Sequence, residues 1–206
     1  VSEVPKVWEN GRVACLASGP SFHADQVDAC RAAGFGLVAC NEQHQFKPDV
    51  LYAPDLAWLN ENDAKIADGP ILLTANEPFA KAHPRWQHIN WRDEPGMSLD
   101  RAMVHTGSNA GFTLVNLAML MGAQTILLIG YDMRQVNGAS HWFGEHPPHI
   151  DQGRSKDGNK YIKWHAKFQK AVPDIERAGV TVINCTPDSA LPCFPMMPLT
   201  EALATL

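Results

Sequence analysis

The stretch from Arg12 to Asn41 constrains this chain more than any other. It reads RVACLASGPSFHADQVDACRAAGFGLVACN: an apolar run, the turn Ser18-Gly19-Pro20-Ser21, a helical stretch and a second apolar run. Strand, tight loop, helix and strand in about thirty residues make one βαβ unit. The sequence therefore predicts an α/β, Rossmann-like fold with a mostly parallel central sheet and helices on both faces. The first loop of such a unit lies where the strand's carboxyl end meets the helix's amino end, where free N–H groups and the helix dipole favour an anion. Gly19 lets backbone approach a phosphate, Pro20 stiffens the turn, and Ser21 can cap the helix. The loop nominates a nucleotide or phosphate pocket, although a plain helix-initiating loop has the same composition. It matches neither the three-glycine dinucleotide fingerprint nor the P-loop.

The rest of the chain continues the alternation. Asp49 to Ala53 reads as a third strand, Pro54 to Ile66 as a helix with Leu56, Leu59 and Ile66 at helical spacing, and Ile71 to Thr74 as a fourth strand. The pattern lapses after Asn76, and residues 76–105 read as an irregular excursion: a lid, a pocket wall or a contact in a homo-oligomer. Thr106 to Gly111 then opens an apolar helix that ends near Gly122, and Thr125 to Ile129 has the continuous apolar character of a strand buried on both faces. A His-, Gly- and Pro-rich loop fills 132–158. An amphipathic helix follows, with Tyr161, Trp164, Phe168, Val172 and Ile175 on one stripe, then a strand over Val180 to Asn184 and a proline-rich tail. At 206 residues, without repeat or linker, the chain reads as one domain.

Composition narrows the function classes. The net charge is −5 and no basic run exceeds two residues, so binding to a nucleic-acid backbone is not indicated. The five cysteines contain no CxxC, which argues for reduced, buried thiols and a cytoplasmic protein rather than a disulfide framework. Asn116, Gly122, Gln124 and Thr125 interrupt the longest apolar region, Phe112 to Ile129, so no membrane span is expected.

Three groups of residues can carry chemistry. Thr106, Gly107 and Ser108 form a second glycine loop at a helix start, which Ser108 or Asn109 can cap. Asp132 follows the buried strand in Gly130-Tyr131-Asp132, and Asn41 and Asp55 occupy similar strand exits, where open α/β sheets bind ligands. His141, Glu145, His146 and His149 crowd one loop. Their spacing is not HExxH and Pro147-Pro148 forbids a continuous helix, so phosphate binding or acid–base work fits them better than a metal. Tyr161 and His165 lie four apart on the long helix and can face a site above the sheet, or His165 can be a surface residue.

The order of these motifs resembles a known group. The Gly19-Pro20-Ser21 loop, the strand ending Cys40-Asn41, the Thr106-Gly107-Ser108 loop, the Gly130-Tyr131-Asp132 exit and Asn184-Cys185 are similar to the bacterial lipooligosaccharide sialyltransferases. They also resemble the hydroxymethylpterin diphosphokinase group. With His141-Trp142, Gly144 and His146-Pro147 added, the pattern looks like small phage- and prophage-encoded Rossmann-like proteins, which would act in the host cytoplasm. The sialyltransferase resemblance implies a nucleotide-sugar donor, CMP-linked, bound by Ser18, Gly19, Pro20, Ser21, Asn41, Thr106, Gly107 and Ser108, with a histidine as general base. Two departures stand out. Ser18 replaces an asparagine, and His141, His146, His149 and His165 lie only near the position of the family's base. The catalytic candidates are thus His141, His146, His165 and Asp132, with the acceptor unassigned. The pterin-kinase resemblance implies instead magnesium-dependent diphosphate transfer from ATP, with Asp132, Asp55 and Glu145 as carboxylates. A third expectation is a non-catalytic accessory protein that makes contacts through Pro78 to Trp91 and Pro192 to Pro198.

Overall fold

The structure is a computed structural model that describes residues 3–150 and 159–206. Seven strands form one sheet in the order β5-β4-β3-β2-β1-β8-β9, every neighbouring pair parallel. The strands are β1 (Gly11–Leu16), β2 (Gly36–Cys40), β3 (Val50–Tyr52), β4 (Ile71–Thr74), β5 (Trp86–His88), β8 (Ala123–Ile129) and β9 (Thr181–Asn184). Two short strands, β6 (Trp91–Arg92) and β7 (Val104–His105), pair separately. The helices are α1 (Ala24–Ala32), α2 (Leu56–Asn62), α3 (Glu77–Ala82), α4 (Ala110–Leu120), α5 (Asn159–Arg177) and α6 (Leu199–Thr205).

Strand alternation sorts the core into layers. Val13, Cys15, Val38, Cys40, Ile126 and Leu128 point to the face covered by α4 and α5. Ala14, Leu16, Leu37, Ala39, Leu127 and Ile129 point to the opposite face, under α1 and α6. Helix α4 is buried all round, as its unbroken apolar sequence requires. Its one strongly polar residue, Asn116, is fully buried, and a buried amide must be bonded. Its Oδ1 accepts from His105 N at 2.8 Å and Ser98 N at 3.3 Å, and its Nδ2 donates to Ser98 O at 2.9 Å. The residue that interrupts the apolar run thus pins residues 98–105 to the core.

The excursion over 76–105 contains regular elements that its sequence does not announce. It contains α3, capped by Asn76 through Phe79 N at 2.9 Å, and the edge strand β5. An edge strand of three residues is too short for a period-2 signal, which is why the pattern looked lost. The stretch Asn41–Phe46, also unpredicted, winds into a 3₁₀ turn. Among the described residues no helix is long and apolar enough to cross a membrane; Phe112 to Ile129 divides into α4 and β8. Cys15, Cys30, Cys40 and Cys185 are buried and Cys193 is half-buried, and none of them forms a disulfide. Burial pushes the Cys30 thiol up to about 11 and the Cys185 thiol up to about 12.

Candidate functional site

The chain runs outward from β1 to β5, then returns to β8 beside β1. Strand order therefore reverses between β1 and β8, and the crevice beyond their carboxyl ends is where open α/β sheets bind ligands. A cavity of about 1250 Å³ lies there. Its walls include Ser18, Asn41, Asp55, Thr106, His141 and His146. Such a volume holds a ligand larger than a simple metabolite.

The floor is a bonded seam between the two strand exits. Ala17 N donates to Ile129 O at 2.9 Å and Gly19 N to Gly130 O at 2.8 Å. Ser21 donates to Asp132 from its hydroxyl, Oγ to Oδ2 at 2.9 Å, and from its N–H at 3.2 Å. A Cβ on Gly19 would stand 2.0 Å from Asp132 Oδ2 and 2.4 Å from Gly130 O. Gly19 is therefore needed for close approach, but to the neighbouring strand exit. Asp132 is only 2% exposed, and burial pushes its carboxyl above the usual carboxylate range against the opposing bonds from Ser21. From the other side, Gln43 Nε2 donates to Ala17 O at 2.5 Å.

Ser21 is not the cap that the sequence predicts. The N-cap of α1 is His23, whose N–H donates to Gln26 Oε1 at 2.8 Å. The turn after β1 runs two residues further before the helix begins, and its hydroxyl is drawn to a buried carboxylate that the local sequence does not contain. At the second loop Asn109 caps α4, its Oδ1 accepting from Phe112 N at 3.0 Å. Ser108 instead joins a surface cluster. Its hydroxyl donates to Asp93 Oδ2 at 2.7 Å, while Lys167 Nζ reaches Asp93 Oδ1 at 2.5 Å and Ser108 Oγ at 3.0 Å. Burial alone would raise the Asp93 carboxyl, but these bonds outweigh it and hold the group below its ordinary value. Gly107 has φ +54°, and a Cβ there would lie 2.5 Å from the Phe112 ring.

The His loop roofs this end of the sheet. Trp142 is wedged against Phe22 and Phe46, with ring centroids 5.5 and 5.6 Å away, and its backbone N–H donates to Ser18 O at 3.2 Å. Further along, Ile150 is buried with the α2 residues Trp58 and Leu59, and His149 Nε2 lies 2.6 Å from Glu61 Oε2. That contact holds the Glu61 carboxyl below its ordinary value. His141, next to the first anchor, and His146, between the two, enter the cavity wall, their ring centroids 5.0 Å apart. His141 Nδ1 is 3.2 Å from Ser18 Oγ. Residues 151–158 of the predicted loop lie outside the described residues.

The fold gathers Ser18, Gly19, Asn41, Thr106, Ser108, Asp132, His141 and His146 around one cavity. Ser21 lies in the seam beneath it, Pro20 is not among the lining residues, and His165 turns to the Met133 carbonyl, 3.2 Å from its Nε2. The predicted apolar stripe of α5 holds for Phe168 and Ile175, which are buried. Trp164 is half-buried at the cavity mouth, its Nε1 donating to Ser108 O at 3.0 Å. Tyr52, Trp91, Arg134 and Lys160 also line the cavity, and sequence reasoning missed them. Among the described residues no three His, Cys, Asp or Glu side chains converge as metal ligands. Asp55, Asp132 and Glu145 share the cavity, but both Asp132 oxygens already accept from Ser21.

No family model and no curated protein sequence matches the chain. Solved structures do. The sialyltransferase CstII from Campylobacter jejuni in complex with cytidine-5'-monophosphate has a TM-score of 0.56 at 15% identity, over 93% of this chain and 86% of that one. The same enzyme with CMP-3FNeuAc gives a TM-score of 0.50 at 14% identity, over 91% and 86%. A Tyr-to-Phe variant with CMP gives 0.55 at 14% identity with the same coverage. The chain shares the fold of these glycosyltransferases.

Proposed function

We propose that the protein is a glycosyltransferase that uses a nucleotide-activated sugar, with a cytidine donor as the leading choice. One observation carries the reading: the cavity at the β1/β8 switch point gathers hydroxyls, amides and two histidines from four separate loops. The neighbours whose fold it shares bind CMP or a CMP-sugar analogue. Asn41 supports a bound ligand further, because its buried Oδ1 has no hydrogen-bond partner among the described residues and unpaired buried acceptors are costly.

In the proposed reaction the donor's phosphate lies over Ser18 and the Thr106 loop. When His141 Nδ1–H donates to Ser18 Oγ, the Nε2 lone pair is left as a base and the serine hydroxyl is left to donate to phosphate. Nε2 takes the proton of an acceptor hydroxyl, whose oxygen attacks the sugar's anomeric carbon. The bond from that carbon to the phosphate oxygen breaks, and the nucleotide leaves with the electron pair. His146 packs edge-on to the His141 ring and restricts its orientation.

A thermal-shift series with CMP, UDP, GDP, ATP and a CMP-sugar, each with and without magnesium, tests this. A nucleotide at a hundred times its dissociation constant adds about 2.7 kcal/mol of stability. Stabilisation by a cytidine nucleotide without magnesium is the expected result. Stabilisation by ATP with magnesium alone, or by no nucleotide, overturns the reading. With a substrate in hand, His141→Ala is expected to lower turnover about 10²–10⁴-fold while nucleotide binding persists.

A further inference from the structure

Helix α5 carries a second pattern beside its apolar stripe. Lys160, Lys163, Lys167 and Lys170 recur at i, i+3, i+7 and i+10, so they share one face over about 15 Å. They border a second cavity of about 500 Å³, whose walls also include Ser108 and Trp164. Ser108, Lys160 and Trp164 belong to both cavities, so the lysine face opens directly into the donor cavity. In a chain of net charge −5 this concentration of cations opposes the overall balance. Among the described residues Asp93 is the one acid in the cavity wall, and Lys167 and Ser108 already hold it. Neighbouring like charges on a helix repel and cost stability unless an anion meets them.

We infer that this lysine face is the acceptor subsite and that the acceptor is a phosphorylated saccharide, an inference that rests on the transferase reading. Three features select the chemistry. All four cations are lysines, which bind phosphate as point charges, and none is the arginine whose planar fork suits a carboxylate. Trp91, Tyr161 and Trp164 line the donor cavity, Trp164 where the two cavities meet, and Trp91 is 49% exposed. Such aromatic faces accept the apolar C–H face of a sugar ring. The site is concave, which suits the end of a glycan better than a bilayer plane or a duplex. An acceptor phosphate on Lys163 and Lys170 would leave the adjoining sugar hydroxyls directed along α5 toward Tyr161 and the donor cavity.

The test is a titration of the full chain with fructose 1,6-bisphosphate, glucose 6-phosphate, glucuronate and glucose, followed by calorimetry at two salt concentrations. The expected order is bisphosphate, then monophosphate, with glucuronate weaker and glucose silent, and affinity falling as salt rises. Lys163 and Lys170 are exposed, so Lys163→Gln with Lys170→Gln keeps the fold. It should weaken the bisphosphate about tenfold or more and leave nucleotide affinity unchanged. The Arg pair at the same positions should retain binding. Equal binding of glucuronate and glucose 6-phosphate, or no loss in the Gln pair, overturns the inference. So does displacement of the sugar phosphate by anionic vesicles or by a single-stranded oligonucleotide at lower concentration. Nucleotide binding without sugar-phosphate binding would sink this subsite alone, whereas sugar-phosphate binding without any nucleotide would sink the transferase reading, and the acceptor role with it, and leave the lysine face as a sugar-phosphate site only.

Discussion

The two glycine loops, Ser18–Ser21 and Thr106–Asn109, look interchangeable in sequence, yet the fold uses them differently. The first is welded to the exit of β8: its N–H groups and the Ser21 hydroxyl point into the seam, onto Gly130 O and a carboxylate that is 2% exposed. The second caps α4 through Asn109 and sends Ser108 outward to Asp93 and Lys167 on the surface. One loop is a foundation with a single face left to a ligand; the other is a shared wall between the main cavity and the lysine face. The lesson is that a small polar loop at a strand exit advertises donors, and its neighbours decide how many remain.

The sharpest way to break this contrast is Gly19→Ala. The added methyl meets backbone at Gly130 O as well as Asp132, so a loss of about 2–4 kcal/mol is expected in urea unfolding. A change near zero would show that the seam is soft. Next comes Ser21→Ala, which leaves the buried Asp132 short of its strongest donor and should cost about 1–3 kcal/mol. Asn109→Ala removes a helix cap and should cost about 1 kcal/mol. Lys167→Met at the surface cluster should cost less than about 1 kcal/mol, with the difference shrinking in high salt.

Acidity separates the two loops as well. Asp132 holds its proton more tightly folded than unfolded, so its contribution to stability is full below the ordinary value of 3.8 and is lost as pH rises through the raised folded value. Asp93 is shifted the other way, so its contribution is present above 3.8 and is lost as pH falls through the depressed folded value. Urea midpoints of Asp132→Asn and Asp93→Asn, each compared with the parent across that range, should therefore diverge with opposite slopes. Parallel slopes would erase the distinction between a buried and a surface-held loop.

Much of this architecture was legible in the chain. The apolar runs at β1, β2 and β8 announce buried parallel strands because both faces of such a strand are covered, so no polar position interrupts them. The strand-exit rule points to Asn41, Asp55 and Asp132 from the sequence alone. The short edge strand β5 escaped notice because three residues carry no period, and Asn116 looked like an interruption because its partners at 98 and 105 are remote in sequence.

The sequence alone determined the βαβ order, the sheet's apolar interior and the end of the sheet at which polar loops gather, since these follow from local period and turn chemistry. Only the tertiary structure decided that Ser21 serves Asp132 rather than its own helix, that His141 meets Ser18, and that four lysines on α5 line a second cavity against Ser108. Each of those pairings joins residues at least fifty positions apart. Hydrogen bonds and charge act through space over a few ångströms, so no local pattern in the chain encodes them.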